Sequence, residues 1–255
     1  MLEAVLISFV IPSFNDDRIL ETIRSIHECE VPEHLREIVI YDGGSSDTLV
    51  ESIKNLLSKN DSIFVERDNG IFDAINKGLR IAKGHYILTL GSDDRLCDLP
   101  LDTLLYARKE NVDLMMFDIE YTNQSWKRLR IWTGHKVSLF NYYLGMQYAH
   151  FGLICTKQVY EEIGFFNADN KVNADYEFFY ALCKNASKYR QHIVPKTIVQ
   201  MRIGGNSSAS LKTILFANFK MLRFMARTDP FLIPGLFLKP AHKSIQFLKA
   251  RLKSN

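Results

Sequence analysis

Val5 to Ile11 is a near-continuous apolar run that stops at Pro12-Ser13-Phe14-Asn15, and two further runs of the same kind follow, Glu37 to Tyr41 and Tyr86 to Leu90. Runs without polar alternation are what strands buried on both faces require, and such strands belong to parallel sheets covered by helices. Helical patterns lie between them: Ile19, Ile23 and Ile26 after the first run, Leu49, Ile53 and Leu56-Leu57 after the second, and Ile71, Ile75 and Leu79 before the third. A short strand is expected at Ile63-Phe64-Val65, and Gly84 stands where a helix C-cap belongs. Strand and helix alternating over short connections predict an α/β chain with a mostly parallel, Rossmann-like sheet and helices on both faces.

The strand ends carry the chemistry. The second run ends in Asp42-Gly43-Gly44-Ser45-Ser46-Asp47, and the third in Gly91-Ser92-Asp93-Asp94. Each stretch alone reads as a polar turn. Two of them at the carboxyl ends of buried strands, where open α/β sheets bind ligands, point instead to a site. Adjacent carboxylates are hard oxygen ligands suited to Mg²⁺ or Mn²⁺ held against a diphosphate.

Composition narrows the class. The chain has 255 residues, 47% hydrophobic and 24% charged, enough to bury a core. No cleavable leader and no membrane-spanning stretch is apparent. Cys29, Cys97, Cys155 and Cys183 lack metal-site spacing and fit reduced thiols of a cytoplasmic protein. Charge is uneven: residues 208–255 hold nine Lys/Arg against one acid, Asp229, a balance of +8 that leaves −5 for residues 1–207 out of the chain's +3. The Gly204-Gly205-Asn206-Ser207-Ser208 punctuation sets the boundary between a body, 1–207, and a basic amphipathic helical tail, 208–255.

Four blocks carry a resemblance: Phe9 to Asn15, Ile38 to Asp47, Asp68-Asn-Gly-Ile-Phe-Asp-Ala-Ile-Asn-Lys-Gly78, and Gly84 to Asp94. In order and spacing they resemble the successive motifs of the family-two glycosyltransferases, GT-A-fold enzymes that use nucleotide sugars and usually invert. The resemblance implies a nucleotide-sugar half over 1–98 and an acceptor half over 99–207. It implies a base pocket lined by Pro12, Ser13, Phe14 and Asn15, with Asp42 accepting from the pyrimidine edge and Asp68 close by. Asn76 and Lys77 would lie near the donor phosphates, Ser92 and Asp93 at the ribose or sugar, and Asp94 on Mn²⁺ or Mg²⁺. Many relatives carry a further acid where Gly91 stands, which leaves one or two protein ligands for the metal here. Arg80, on the same face of its helix, reads as a solvated cation.

On the acceptor side, Asp113 to Asp118 reads as a strand, and His150 to Lys157, Tyr160 to Asn167 and Asn173 to Phe178 resemble the family's acceptor segments. Asp175, opening a helix, matches the general base that takes the acceptor's proton, with Glu177 in reserve; a plain helix-start acid is the structural alternative. His150 fits a packing role better than a ligand role, and core packing accounts for most aromatics between Trp126 and Tyr148.

The expected function is therefore transfer of a sugar, UDP-linked by default, to a glycan or lipid-linked hydroxyl with inversion, as in bacterial surface-polysaccharide synthesis. The alternative is a non-catalytic nucleotide-sugar or carbohydrate-binding module of the same fold. A dinucleotide oxidoreductase is excluded by Pro12-Ser-Phe-Asn where a Gly-x-Gly-x-x-Gly would stand. No nucleic-acid recognition motif accompanies the basic tail. That tail, with Phe219 and Leu222 among Lys220, Arg223 and Arg227 and a final basic helix over 243–253, is expected either to pack on the body or to lie on an anionic membrane at its cytoplasmic face.

Overall fold

A computed structural model describes residues 5–146, 148–171, 173–203, 211–238 and 244. The 204–208 loop and the final basic helix lie outside the described residues. Nine strands form one sheet in the order β3-β2-β1-β4-β8-β6-β9-β5, with β7 also pairing to β6, beyond the stretch that β8 covers. The first four are β1 (Ile7–Ser13), β2 (Arg36–Asp42), β3 (Ser62–Val65) and β4 (Tyr86–Thr89), all paired in parallel. The connecting helices are α1 (Ile19–His27), α2 (Asp47–Lys54) and α3 (Ile71–Ile81).

Beyond β4 the sheet is mixed. It holds β5 (Arg95–Leu96), β6 (Leu114–Thr122), β7 (Arg128–Trp132), β8 (Leu153–Thr156) and β9 (Gln191–Arg202). β8 runs antiparallel to both β4 and β6, and β9 runs parallel to β6 but antiparallel to β5. The apolar runs of the first half announce parallel strands because both their faces are covered. The second half pairs across long separations that local patterning does not encode. The remaining helices are α4 (Leu101–Lys109), α5 (Leu139–Tyr143), α6 (Lys157–Ile163), α7 (Ala174–Asn185) and α8 (Leu211–Thr228).

Side-chain alternation along β1 divides the interior. Ile7, Phe9 and Ile11 face a core built with Ile19, Ile23 and Ile26 of α1, Ile53 of α2 and Leu104 of α4. Val10 points the other way, into a core with Ile75 and Leu79 of α3 and the aromatics of α7. Gly78 lets α3 approach β1, since a Cβ there would sit 2.5 Å from a Val10 methyl. Gly84 does not cap α3 as expected; Ala82 closes that helix. A Cβ at Gly84 would instead lie 2.4 Å from the Ser8 backbone nitrogen, so glycine is required by close approach. The backbone nitrogen of Gly84 donates to Ser8 Oγ at 2.7 Å. α8 joins the same core as α7, burying Met221 and Met225.

Candidate functional site

The carboxyl ends of β1, β2 and β4 meet in one cleft. Past β1 the chain turns through Asn15, whose φ of 47° is left-handed, a region asparagine tolerates better than most residues. The turn is held from the β2 loop: the Asn15 backbone nitrogen donates to Ser45 Oγ at 2.7 Å, and Asn15 Oδ1 accepts from the Ser46 nitrogen at 3.2 Å. The result leaves Phe14 62% exposed at the rim. Pro12 and Ser13 are buried beneath it, and Ser13 Oγ has no hydrogen-bond partner among the described residues.

Asp42 is fully buried, and its carboxylate faces its own loop. Oδ1 accepts from the Gly44 and Ser45 nitrogens at 3.0 and 2.6 Å, and Oδ2 from Ser45 Oγ at 2.6 Å. These bonds shape the loop that holds Asn15. Asp68 reaches the same place from beyond β3: a Cβ on Gly43 would lie 2.6 Å from its Oδ2 and 3.3 Å from the Phe14 ring. Asp68 Oδ1 also accepts from the Gly70 nitrogen at 2.8 Å, and Asp73 accepts from the Asn69 nitrogen at 3.0 Å. Asp68-Asn-Gly therefore doubles as the entry to α3, where Gly70 takes a φ of 119°.

Two residues of α3 expected near donor phosphates, Asn76 and Lys77, have protein partners. Asn76 is buried and turned across the core to the loop after α6. Its Nδ2 donates to the Phe166 carbonyl at 2.7 Å, and its Oδ1 accepts from the Phe166 nitrogen at 2.9 Å. Both faces of the amide are used, which makes it a clamp between the two halves of the chain. Lys77 Nζ is engaged by Glu66 at 2.9 Å and Asp73 at 3.6 Å and lies over the Tyr41 ring. Arg80 is exposed, over the Phe165 ring.

At the end of β4 the turn is tied down by α1: Thr22 Oγ1 donates to the carbonyls of Ser92 and Asp94, at 3.0 and 2.6 Å. Asp94 is 3% exposed, and its Oδ2 accepts from the Gly91 nitrogen at 2.9 Å. Burial, with the charge of Asp93 added, pushes its carboxyl up to about 8. Burial raises Asp93 as well, opposed by Arg18, whose guanidinium lies 3.2 Å away. Arg18 also forks onto Asp16 through two 2.7 Å bonds, and Ser92 Oγ donates to Asp16 at 3.1 Å. The sequence reading overlooked Arg18, although a cation three residues past a strand-end Asn was visible. A Cβ at Gly91 would sit 2.8 Å from Asp94 Oδ2. The extra acid of many relatives therefore has no room here without displacing Asp94.

Among the described residues no three His, Cys, Asp or Glu side chains converge as a metal cage. What the site offers is a pair of adjacent carboxylates, Asp94 buried and Asp93 partly exposed with Arg18 beside it. That donor set fits a hard divalent cation whose remaining ligands come from substrate phosphate and water.

Asp175 lies on an aromatic pocket of about 200 Å³, lined also by Trp132 of β7, Tyr142 of α5, Tyr148, Asn173, Tyr176 and Phe179 of α7, and Met221 of α8. Asp175 sits in the first turn of α7, its Oδ1 accepting from the Tyr176 nitrogen at 2.8 Å. Glu177 points elsewhere and holds the amides of Asn167 and Asn170 at 2.8 and 2.7 Å. Tyr121 stands near the end of β6. Burial raises its hydroxyl, Arg130 opposes this, and the Asp94 and Asp175 carboxylates are both near enough to add to the rise. His150 is a buried structural residue, hydrogen-bonded to Thr89 Oγ1 at 3.0 Å and pushed down by burial to about 3.

A family model described as Glycosyl transferase family 2 matches residues 8–156. A PGL/p-HBAD biosynthesis glycosyltransferase of Mycobacterium bovis is 28% identical over 189 residues, 69% of each chain. Among solved structures, TarS of S. aureus in complex with UDP-GlcNAc is similar with a TM-score of 0.65 at 20% identity, over 91% of this chain and 72% of that one. Of a longer TarS chain, this protein covers 43%. The mannosyltransferase PcManGT of Pyrobaculum calidifontis, in complex with GDP-Man and Mn²⁺, has a TM-score of 0.56 at 16% identity, over 94% of this chain and 75% of that one.

Proposed function

We propose, for a chain that belongs to glycosyl transferase family 2, transfer of a hexosyl or N-acetylhexosaminyl group from a UDP-linked donor to a hydroxyl of a glycan or lipid-linked acceptor, with inversion. The observation that carries this reading is the pair of adjacent carboxylates just past β4, with Asp94 buried, together with Asp175 on an aromatic pocket and the charges of both Asp94 and Asp175 felt at Tyr121.

The donor's base would enter between Phe14 and the Asp42 loop, stacking on the exposed ring and reaching Ser13 Oγ and Asp68. Asp93 would meet the ribose or sugar, and Asp94 would hold Mn²⁺ or Mg²⁺ against the diphosphate. Bound there, the cation supplies neutralising charge to the leaving diphosphate. Arg18, already 3.2 Å from Asp93, is placed to turn from that carboxylate to an arriving phosphate. Asp175 would accept the proton of the acceptor hydroxyl as its oxygen attacks the anomeric carbon. The bond from that carbon to the diphosphate oxygen breaks on the opposite face, which inverts the configuration. Trp132 and the tyrosines of the pocket offer flat faces for an acceptor sugar ring.

A panel of nucleotide sugars tested by thermal shift and transfer, with and without Mn²⁺, checks the reading. Metal-dependent stabilisation by one uridine donor is expected, with loss of both metal dependence and turnover in Asp94→Asn. Undiminished turnover by that variant in the presence of chelator would overturn the metal assignment.

A further inference from the structure

The helix that closes the Asp175 pocket has a second face. Met221 lines the pocket, Met225 is 1% exposed, and Phe224 meets Tyr176 and Tyr180 of α7 edge-on at ring-centroid distances of 6.0 and 5.7 Å. One helical face of α8 is thereby fixed to that pocket. The residues at i, i+3, i+4 and i+8 from Phe219 lie on the other face. Phe219 and Leu222 are exposed there together with Arg223 and Arg227. The 3-10 turn Pro230–Leu232 and the residues after it continue the surface with Phe231, 79% exposed, and Phe237, 77% exposed. α5, which packs against that turn, adds Phe140.

Charge identifies the occupant. Residues 208–255 contain a single acid, Asp229, and it is turned inward. Its Oδ2 accepts from the hydroxyls of Tyr143 and Tyr180 at 2.6 and 3.1 Å, and its Oδ1 from the Phe231 nitrogen at 3.1 Å. The outward surface therefore combines large aromatic and aliphatic side chains with arginines and lacks a carboxylate from its own segment. Among the described residues no helix is long and apolar enough to cross a membrane. Aromatics that enter the headgroup boundary beside arginines that meet lipid phosphate are the features of an interfacial helix.

We infer that the outer face of α8 and the Phe231–Leu238 segment dock on an anionic lipid bilayer, which sets the mouth of the Asp175 pocket at the membrane surface. The surface stands on packing and charge; only the nature of what it delivers, a lipid-linked acceptor, rests on the glycosyl-transfer reading.

Flotation with phosphatidylglycerol-containing and pure phosphatidylcholine vesicles tests the inference on the full chain. Binding is expected to the anionic vesicles and to weaken steeply as salt rises from about 0.05 to about 0.5 M. The pairs Arg223→Glu with Arg227→Glu, and Phe231→Ser with Phe237→Ser, are each expected to lower partitioning by about tenfold or more. These side chains lie outside the pocket, so thermal shift with the uridine donor should remain as in the parent protein. Absence of binding by the parent, or binding by either pair of variants equal to that of the parent, overturns the inference. So does a dimer seen by light scattering that the Phe231/Phe237 pair dissolves, because a second copy would then be the occupant. If the parent binds vesicles but no nucleotide sugar, the docking surface stands and the proposed function fails.

Discussion

Replacing Asp94 by asparagine is expected to make the metal-free protein more stable while removing its donor chemistry. In the unfolded chain the Asp94 carboxyl titrates near 3.8, and folding moves it up to about 8 by burial beside Asp93. The folded state therefore holds a proton that the unfolded state has lost, and stability falls as pH rises from about 4 to about 8. At pH 7 that uptake costs up to about 4 kcal/mol, and roughly 2 kcal/mol once relaxation of the site is allowed for. Asparagine is nearly isosteric, carries no charge, and keeps an oxygen to accept from the Gly91 nitrogen. A gain of about 2–4 kcal/mol at pH 7.5 is expected, seen as a rise in Tm of roughly 5–10 °C. Near pH 3 the difference vanishes, because the carboxyl is then protonated in the folded chain and largely so in the unfolded one. Urea unfolding of both proteins at the two pH values, in chelator, measures it. Equal stability at pH 7.5, or a variant that is less stable there, would refute the argument that Asp94 is a desolvated acid lacking its cation.

Asp175→Asn is expected to leave thermal stabilisation by donor unchanged and to lower transfer at least about 100-fold, read by kcat with donor KM unaltered. Asn76→Ala strips both hydrogen bonds from the buried Phe166 backbone and is expected to cost about 2–4 kcal/mol in urea unfolding without a change in which nucleotide binds. Gly84→Ala drives a methyl onto the Ser8 backbone and is expected to destabilise by about 2–3 kcal/mol, measured by the same unfolding curve.

The parallel half of the fold was legible because its information is local. Buried strands β1, β2 and β4 show as apolar runs, and the acids that end them at Asp42 and Asp94 show as breaks in those runs. Asp175 was legible as a helix-opening acid, and it lies in the first turn of α7. What stayed hidden is what depends on distant partners. Asn76 looks like a solvent-side polar residue of α3 until Phe166, ninety residues later, supplies both halves of its amide clamp. The twelve residues of β9 combine a proline, charged groups and aliphatics, so no face of the pattern declares that strand. Arg202 at its end lies 4.0 Å over the Trp126 ring and pairs with Glu21 of α1, a junction of three segments that no spacing announces.

The turn bearing Asp93 and Asp94 is strung between two strands of different age in synthesis. β4, before it, pairs with β1 and can dock as soon as the first ninety residues have left the ribosome. β5, after it, is a two-residue strand whose partner is β9, at Val199 and Gln200. Roughly a hundred further residues must emerge before that second anchor exists, and closing so large a loop is slow on entropic grounds. A nascent chain can thus build the Asn15–Asp42 corner early and tie the Asp93–Asp94 turn to Thr22 of α1, while the anchor on the far side of that turn waits until β9 slots beside β6. A lesion at Val199 or Gln200 would thus loosen the later of the two anchors, a hundred positions downstream of the turn it steadies.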